Sequence, residues 1–284
     1  DILRTTPILH LFKEDKVTWV TDIEALPLLE NNPLINRLMT YDFTTRDQLS
    51  VEKFDILINL EKFPPLCGLA NQIDAWRKHG FRLDAQTGSA EAYDRASEVL
   101  TVSADHNAKK ENAKTVQELL FEMVGSTWAK EEYVLGYQPK NKLKYDVGLN
   151  TNIGLKWSSK SWPKENWDEL EKTLKRDGLK VTRQNKEKND ILTNLYSYAD
   201  WINSSKVIVS NDSLGLHLGI ALKKKVLGLF GPTPSSEVYF YNKGKSIVPK
   251  PIPDCMPCFK GICERERNCM IDISVERVYK EIIK

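Results

Sequence analysis

Between Val207 and Pro234 the chain reads VIVSNDSLGLHLGIALKKKVLGLFGPTP, and this stretch restricts the fold more than any other. A short apolar run (Val207–Ser210), a polar turn (Asn211, Asp212, Ser213) and a helical pattern over about Leu214–Leu222 follow one another. Three lysines then stop the helix, and a second apolar run occupies Val226–Phe230. Strand, helix and strand in this order make a βαβ unit, which requires a parallel sheet. In such sheets ligands sit beyond the carboxyl ends of the strands, where helix N-termini offer free N–H groups to anions. Asp212, Ser213 and Gly215 fall at that junction. Gly215 allows close approach to the backbone, and Ser213 suits an N-cap or a phosphate-contacting hydroxyl. An ordinary capped helix would use the same residues, so at this point both readings stand.

A chain of 284 residues is long enough for two domains with real cores. Its 41% of hydrophobic residues is usual for a globular protein and too high for a disordered one. Lys and Arg total 41 against 39 Asp and Glu, a balance that argues against broad electrostatic binding to nucleic acid. No apolar run reaches the length of a membrane-spanning helix and no secretory signal is visible, so a cytoplasmic protein is expected. The sequence opens at Asp1, directly ahead of a helix-like segment. An α/β domain usually opens with a strand, and residues preceding Asp1 are therefore expected.

The first half alternates helical and strand patterns. Ile8, Leu9, Leu11 and Phe12 form an apolar stripe, and Pro7 places the helix start near Thr5 or Thr6. Val17–Val20 reads as a strand, Ala25–Leu29 as helix, Phe54–Leu60 (FDILINL) as a buried strand and Asn112–Val124 as an amphipathic helix. The polar, proline-containing segment Gly136–Lys144 is the expected hinge. Beyond it come a strand at Tyr145–Leu149 and a helix opened by Trp162-Pro163 that carries Trp167, Leu170 and Leu174. A strand at Lys180–Thr182 and a helix at Leu195–Asn203 precede the βαβ unit, and Ser274–Ile283 closes the chain as a helix. The expected class is α/β, with two doubly wound domains.

Five segments, in order along nearly the whole chain, carry a resemblance to a known family. They are Asp1-Ile2-Leu3-Arg4-Thr5-Thr6-Pro7, Val147-Gly148-Leu149-Asn150-Thr151, Lys160-Ser161-Trp162-Pro163 with Trp167, Asn211-Asp212-Ser213 with His217, and Phe230-Gly231-Pro232-Thr233. Together they resemble the ADP-heptose lipopolysaccharide heptosyltransferases, glycosyltransferase family 9, whose GT-B fold has two Rossmann-like domains facing across a cleft. The resemblance implies an acceptor-side domain over residues 1–140 and a nucleotide-sugar-binding domain over residues 141–284. It implies inverting transfer of a heptose or related sugar, with ADP-heptose as donor and a lipopolysaccharide core or other glycan as acceptor. Some relatives glycosylate proteins instead.

Such chemistry needs a base for the acceptor hydroxyl and positive charge or N–H dipoles for the departing diphosphate. On the family's pattern the base is Asp1; read alone, Asp1 suits a helix N-terminus. Lys160 matches the family's diphosphate-contacting lysine. Lys156 and Lys164 rival it as solvated neighbours, and the register with Trp162-Pro163 selects Lys160. With that ammonium on the leaving group, no catalytic divalent metal is expected. Thr151 is the matching hydroxyl in the strand-to-loop turn, and Asn152 stands where many relatives carry glycine. Glu187 is the ribose candidate, in a stretch that lacks the family's usual glycines. Asp212 and Ser213, with the backbone of Leu214, Gly215 and Leu216, are expected to line the phosphate site. A carboxylate beside phosphates repels them unless paired, so Asp212 is expected to orient the turn, bind a sugar hydroxyl or pair with a lysine. His217 is given a supporting role.

Cys255, Cys258, Cys263 and Cys269 form a C-x2-C-x4-C-x5-C cluster. The short arm suits tetrahedral thiolate ligation of zinc or iron, and four free thiols are the alternative. Some members of the resembled family bear a metal-binding finger here. Four protein ligands leave no open position, so such a metal would be structural. Cys67 stands apart and reads as a small buried apolar residue.

The implied partners are a nucleotide-sugar donor and a glycolipid or protein acceptor, with no nucleic acid. At most a peripheral association with the inner face of the cytoplasmic membrane is expected. A GT-B nucleotide-sugar epimerase or phosphorylase is a competing class that needs further acid/base groups, none of which is identifiable. A non-catalytic module, with the cysteines as an interaction finger, is another.

Overall fold

The computed structural model describes residues 2–154, 156–184 and 194–284. The chain divides into two units, one of Thr5–Glu131 and one of Asp1–Arg4 with Glu132–Lys284.

The Thr5–Glu131 unit carries five strands, β1 (Thr18–Thr21), β2 (Arg37–Thr40), β3 (Lys53–Asn59), β4 (Asp74–Leu83) and β5 (Ala90–Ala92). β1 and β2 form a parallel pair, while β3 pairs in parallel with β4 and β4 antiparallel with β5. The stripe at Ile8–Phe12 lies in a 3-10 helix over Thr6–Phe12, with Pro7 in its first turn. The expected helix at Asn112–Val124 starts later, at Val116, because Thr115 and Glu118 close a capping box. The Glu118 N–H donates to Thr115 Oγ1 at 3.2 Å, and the Thr115 N–H donates to the Glu118 carboxylate at 2.6 Å. Two satisfied donors fix the helix start there. Small clusters form this unit's core: one around Cys67, Phe81, Ala96, Leu120 and Met123, another around Leu49, Leu69 and Ile73. Cys67 is fully buried. FDILINL does form β3, but it pairs on one side only, and Ile56 is 39% exposed. Its apolar run therefore marks a sheet edge rather than the expected buried strand.

The unit of Asp1–Arg4 and Glu132–Lys284 contains β6 (Tyr145–Asn150), β7 (Val181–Arg183), β8 (Ser205–Asn211), β9 (Lys225–Leu229) and β10 (Gly244–Ile247). They form one parallel sheet in the order β10-β9-β8-β6-β7. Alternate side chains of a strand point to opposite faces. On one face Val147, Leu149, Val209, Leu227 and Leu229 pack with Trp167, Leu170 and Leu174 of helix Lys164–Arg176 and with Val278 and Ile282 of helix Val275–Ile283. On the other face lies helix Leu214–Ala221, so close that a Cβ on Gly219 would meet Val226 at 2.8 Å and one on Gly228 would meet Leu216 at 2.6 Å. Apart from His217 that helix is apolar all round, and it is buried from Gly215 to Ile220, as a helix enclosed by protein must be. The expected hinge segment is tied down here: Tyr137 OH donates to Asp200 at 3.0 Å, and Asn141 Nδ2 donates to the Asp200 carbonyl at 2.8 Å. Among the described residues no helix is long and apolar enough to cross a membrane.

Candidate functional site

The strand order locates the site. After β6 the chain builds β7 on one side, then crosses to β8 on the other and continues outward to β9 and β10. Connections thus diverge between the carboxyl ends of β6 and β8, the topological switch point where open α/β sheets bind ligands. Asn150-Thr151-Asn152 leaves β6 there, and Asn211-Asp212-Ser213 leaves β8.

Asn150 is fully buried and uses its whole carboxamide. Its Nδ2 donates to Ser210 Oγ (2.7 Å) and Ser213 Oγ (2.9 Å), and its Oδ1 accepts from Tyr198 OH at 2.6 Å. Ser213 occupies the N-cap position of helix Leu214–Ala221 without a side-chain cap bond, because its hydroxyl is turned toward Asn150. Gly215 matters for space: a Cβ would lie 2.3 Å from Tyr198 OH and 2.5 Å from Asn150 Nδ2. Close approach at this glycine is thus made by two side chains of the protein. Asn211 joins the strands, receiving the Trp162 N–H at Oδ1 (3.2 Å) and donating to the Thr151 carbonyl at 2.9 Å. Thr151 Oγ1 donates to the Gln184 carbonyl at 3.0 Å, and the Asn152 N–H donates to Gln184 Oε1 at 3.0 Å.

Asp212 pairs with a lysine, one of the three roles open to it. Lys160 Nζ lies 2.6 Å from Asp212 Oδ2, and the two side chains are only 15% and 14% exposed. The same oxygen accepts from Thr233 Oγ1 at 2.7 Å. Burial pushes the Asp212 carboxyl up, but Lys160, His217 and the Thr233 hydroxyl outweigh it and hold the group below its ordinary value. Lys160 belongs to the 3-10 turn Ser158–Lys160, and its ammonium lies 4.7 Å from the Trp157 ring centre. Of its rivals, Lys164 pairs with Asp168 on the helix surface at 2.9 Å.

His217 sits buried one turn into the helix, with Tyr133 OH 3.3 Å from its Nδ1. Burial, and then the nearby positive charges of Arg4 and Lys160, push its pKa well below the ordinary value against the opposing pull of Asp212. Arg4 pairs with Glu237 at 3.1 Å. The site thus sets the Lys160–Asp212 pair at the carboxyl end of the sheet, where the turn after β8 enters the N-terminus of helix Leu214–Ala221. Such a place favours an anion.

Asp1 and Glu187 lie outside the described residues. Asn150, Tyr198, Gln184 and Thr233 belong to the site without having been assigned a part from sequence. Two of them, Asn150 and Thr233, stand inside the motifs quoted above, whereas Tyr198 and Gln184 carry no local signal. All five cysteines are free thiols. The Cys269 thiol is pushed up to about 11, by burial first and then by Cys258, Cys263 and Cys255 nearby. Four thiolates are chemically apt for zinc or iron, and among the described residues no three or more ligating side chains converge to hold a metal.

Fold and sheet order define the class first: an α/β chain of the GT-B type. The family 9 glycosyltransferase structure from Veillonella parvula DSM 2008 superposes with a TM-score of 0.65 at 18% identity, covering 99% of this chain and 92% of that one. E. coli heptosyltransferase WaaC with ADP-2-deoxy-2-fluoro heptose gives 0.64 at 16% identity, covering 99% and 95%. The iron-containing dodecameric glycosyltransferase TibC from enterotoxigenic E. coli H10407 gives 0.58 at 12%, covering 99% and 71%. The family comes next. Residues 191–268 match the profile of "Glycosyltransferase family 9 (heptosyltransferase)". Lipooligosaccharide heptosyltransferase 2 of Campylobacter jejuni subsp. jejuni serotype O:6 is 28% identical over 120 residues, 41% of this chain and 36% of that protein. The match therefore spans about a third of that relative's length. The resemblance to glycosyltransferase family 9 is borne out.

Proposed function

We propose that this protein is an inverting glycosyltransferase that moves a heptose, or a closely related sugar, from ADP-heptose or a similar nucleotide diphosphate sugar to a glycan of the lipopolysaccharide-core kind. The observation that carries the reading is the Lys160–Asp212–Thr233 constellation at the switch point of a parallel sheet, beside the N-terminus of helix Leu214–Ala221. A diphosphate leaving group placed there meets the Lys160 ammonium and the positive end of helix Leu214–Ala221 at Leu214, Gly215 and Leu216, where the Leu216 N–H already donates to the Ser213 carbonyl at 3.1 Å. In the proposed step the acceptor oxygen forms a bond to the anomeric carbon from the face opposite the diphosphate. The bond from that carbon to the diphosphate oxygen breaks with its electron pair, and the acceptor proton passes to the Asp1 carboxylate. Asp212 keeps Lys160 in place and is itself compensated by it. Glu187 is assigned to the ribose, Thr151 and Asn152 to the edge of the phosphate site, and His217 to support behind Asp212. A protein acceptor is the alternative within the same reaction. Action in the cytoplasm, at most peripherally on the membrane, belongs to the same proposal, as does a structural zinc or iron at the cysteine cluster.

The test is transfer from ADP-heptose by the parent, Lys160→Ala and Asp1→Ala proteins. Losing one such stabilising group lowers turnover by about a hundredfold to a thousandfold. Breaking a buried ion pair also costs about 3–5 kcal/mol of stability, so each variant's melting curve is recorded beside its rate. Unchanged transfer by both variants would remove the assigned roles. A panel of nucleotide sugars identifies the donor independently, because a ligand at a hundred times its Kd raises stability by about 2.7 kcal/mol. For the cysteines, elemental analysis of protein purified without chelators is expected to find about one equivalent of zinc plus iron, the load of one four-thiolate site. Five thiols titrated after unfolding, with no metal found, would leave the cluster as free cysteines.

A further inference from the structure

The cysteine-rich loop is bonded to the residues just before both of the groups that hold Asp212, Ser159 before Lys160 and Pro232 before Thr233. On the Lys160 side, Ser159 is buried, and the loop engages it three times. The Ser159 N–H donates to the Gly261 carbonyl at 3.0 Å, its hydroxyl donates to the Lys260 carbonyl at 2.5 Å, and Asn268 Nδ2 donates to its carbonyl at 3.2 Å. Ser158 Oγ adds a bond to the Gly261 carbonyl at 3.3 Å. Gly261 itself is pressed against this turn, since a Cβ there would lie 2.3 Å from the Lys156 carbonyl oxygen. On the Thr233 side, the Phe259 N–H donates to the Pro232 carbonyl at 2.8 Å. A Cβ on Gly231 would lie 2.6 Å from Met270 Sδ and 2.9 Å from Cys269 Sγ. Phe259 makes its bond with φ at +52°, a conformation a bulky residue holds only where its surroundings enforce it.

We propose that the loop Cys255–Cys269 is the positioning element of the candidate site, holding Lys160 through Ser159 and Thr233 through Pro232. The inference rests on the reading of Lys160 as the diphosphate cation. It gives the cysteine loop a part that neither its sequence nor any resemblance assigned. Ser159 touches no ligand; it is a positioning residue. Lysine is a flexible point charge on four methylenes, so its usefulness depends on how firmly its backbone is held. The turn's own backbone bonds, Lys160 N–H to the Trp157 carbonyl at 3.0 Å and Ser161 N–H to the Ser158 carbonyl at 3.1 Å, set its shape, and four further hydrogen bonds tie it to the loop. Loosening the loop leaves the Lys160 charge present but displaced, and contacts to a transferred group lose much of their value when moved by an ångström.

The test measures ADP affinity by calorimetry on the full chain, in the parent, Ser159→Ala, Gly261→Ala and Lys160→Ala proteins and the Ser159→Ala/Lys160→Ala double variant. Ser159→Ala and Gly261→Ala are expected to weaken ADP binding about tenfold, the scale of one misplaced charge-assisted contact. Ser159→Ala should add nothing in the Lys160→Ala background, because the two act through one ammonium. Ser159→Thr, which keeps the hydroxyl, should restore most of the affinity. Should Ser159→Ala be too unstable to assay, Asn268→Ala removes one of the same bonds from the loop side. If parent protein binds ADP and the Ser159 and Gly261 variants bind it equally well, the proposal fails. It fails too if Ser159→Ala weakens binding by the same factor with and without Lys160. If parent protein does not bind ADP at all, the assignment of Lys160 falls instead.

Discussion

At the scale of single residues, the site is decided by which polar atoms are already spent. Gly215→Ala forces a methyl into the space of Tyr198 OH and Asn150 Nδ2, both locked in buried hydrogen bonds. Denaturant unfolding should show a loss of about 1–3 kcal/mol, the usual cost of overpacking. His217 gives a prediction in pH. Its folded pKa is lowered, so the folded state binds fewer protons than the unfolded chain, where histidine titrates near 6.5. Stability from this group is complete above that value and is lost as pH falls toward the lowered one. His217→Gln should therefore flatten the fall in melting temperature that the parent shows between about pH 6.5 and pH 5. Lys160 could be picked out from Lys156 and Lys164 only by its register with Trp162-Pro163, not by its chemistry. Asn150, Tyr198 and Gln184 could not be read in advance, because their partners lie 32 to 63 residues away. Hydrogen-bond networks closed by the fold leave no local trace.

At the scale of elements, periodicity succeeded where one face is buried and faltered where an element is short or lies at an edge. Helix Leu195–Asn203 falls where its pattern places it, capped by Asn194. The later start of helix Val116–Met123 was written in the T-x-x-E spacing of Thr115 and Glu118, a local signal that the apolar stripe masked. β3 misled for another reason: a continuous apolar run records composition, not the number of neighbouring strands. Packing between helix and sheet gives a sharp comparison. Trp162 and Trp167 meet edge to face at 4.8 Å, yet Trp162 Nε1 donates to the Ile273 carbonyl at 2.9 Å while Trp167 Nε1 is buried without a partner. Trp162→Phe should cost about 1–3 kcal/mol more than Trp167→Phe in equilibrium unfolding, because only the first orphans a buried carbonyl. Equal losses would mean that ring volume alone matters.

At the scale of the molecule, the two units differ in how their cores are built. The unit with the five-stranded sheet has one continuous cluster running from Val147 to Ile282, whereas Thr5–Glu131 has separate small clusters and strands with few buried side chains. Hydrogen exchange should therefore find the slowest amides in β6, β8 and β9, with those of β1 to β3 exchanging through cheaper local openings. Comparable protection in both units would contradict that ranking. The α/β class was legible because a βαβ unit admits few alternatives. Strand order was not, since no residue declares which neighbour it will pair with, and the switch point emerges only from that order. A last consequence belongs to descent. Position 215 is confined to glycine because a tyrosine tip and an amide fill the volume a side chain would need. Homologues carrying anything larger than glycine there should also have altered positions 198 and 150, so that the three vary as a linked set or not at all.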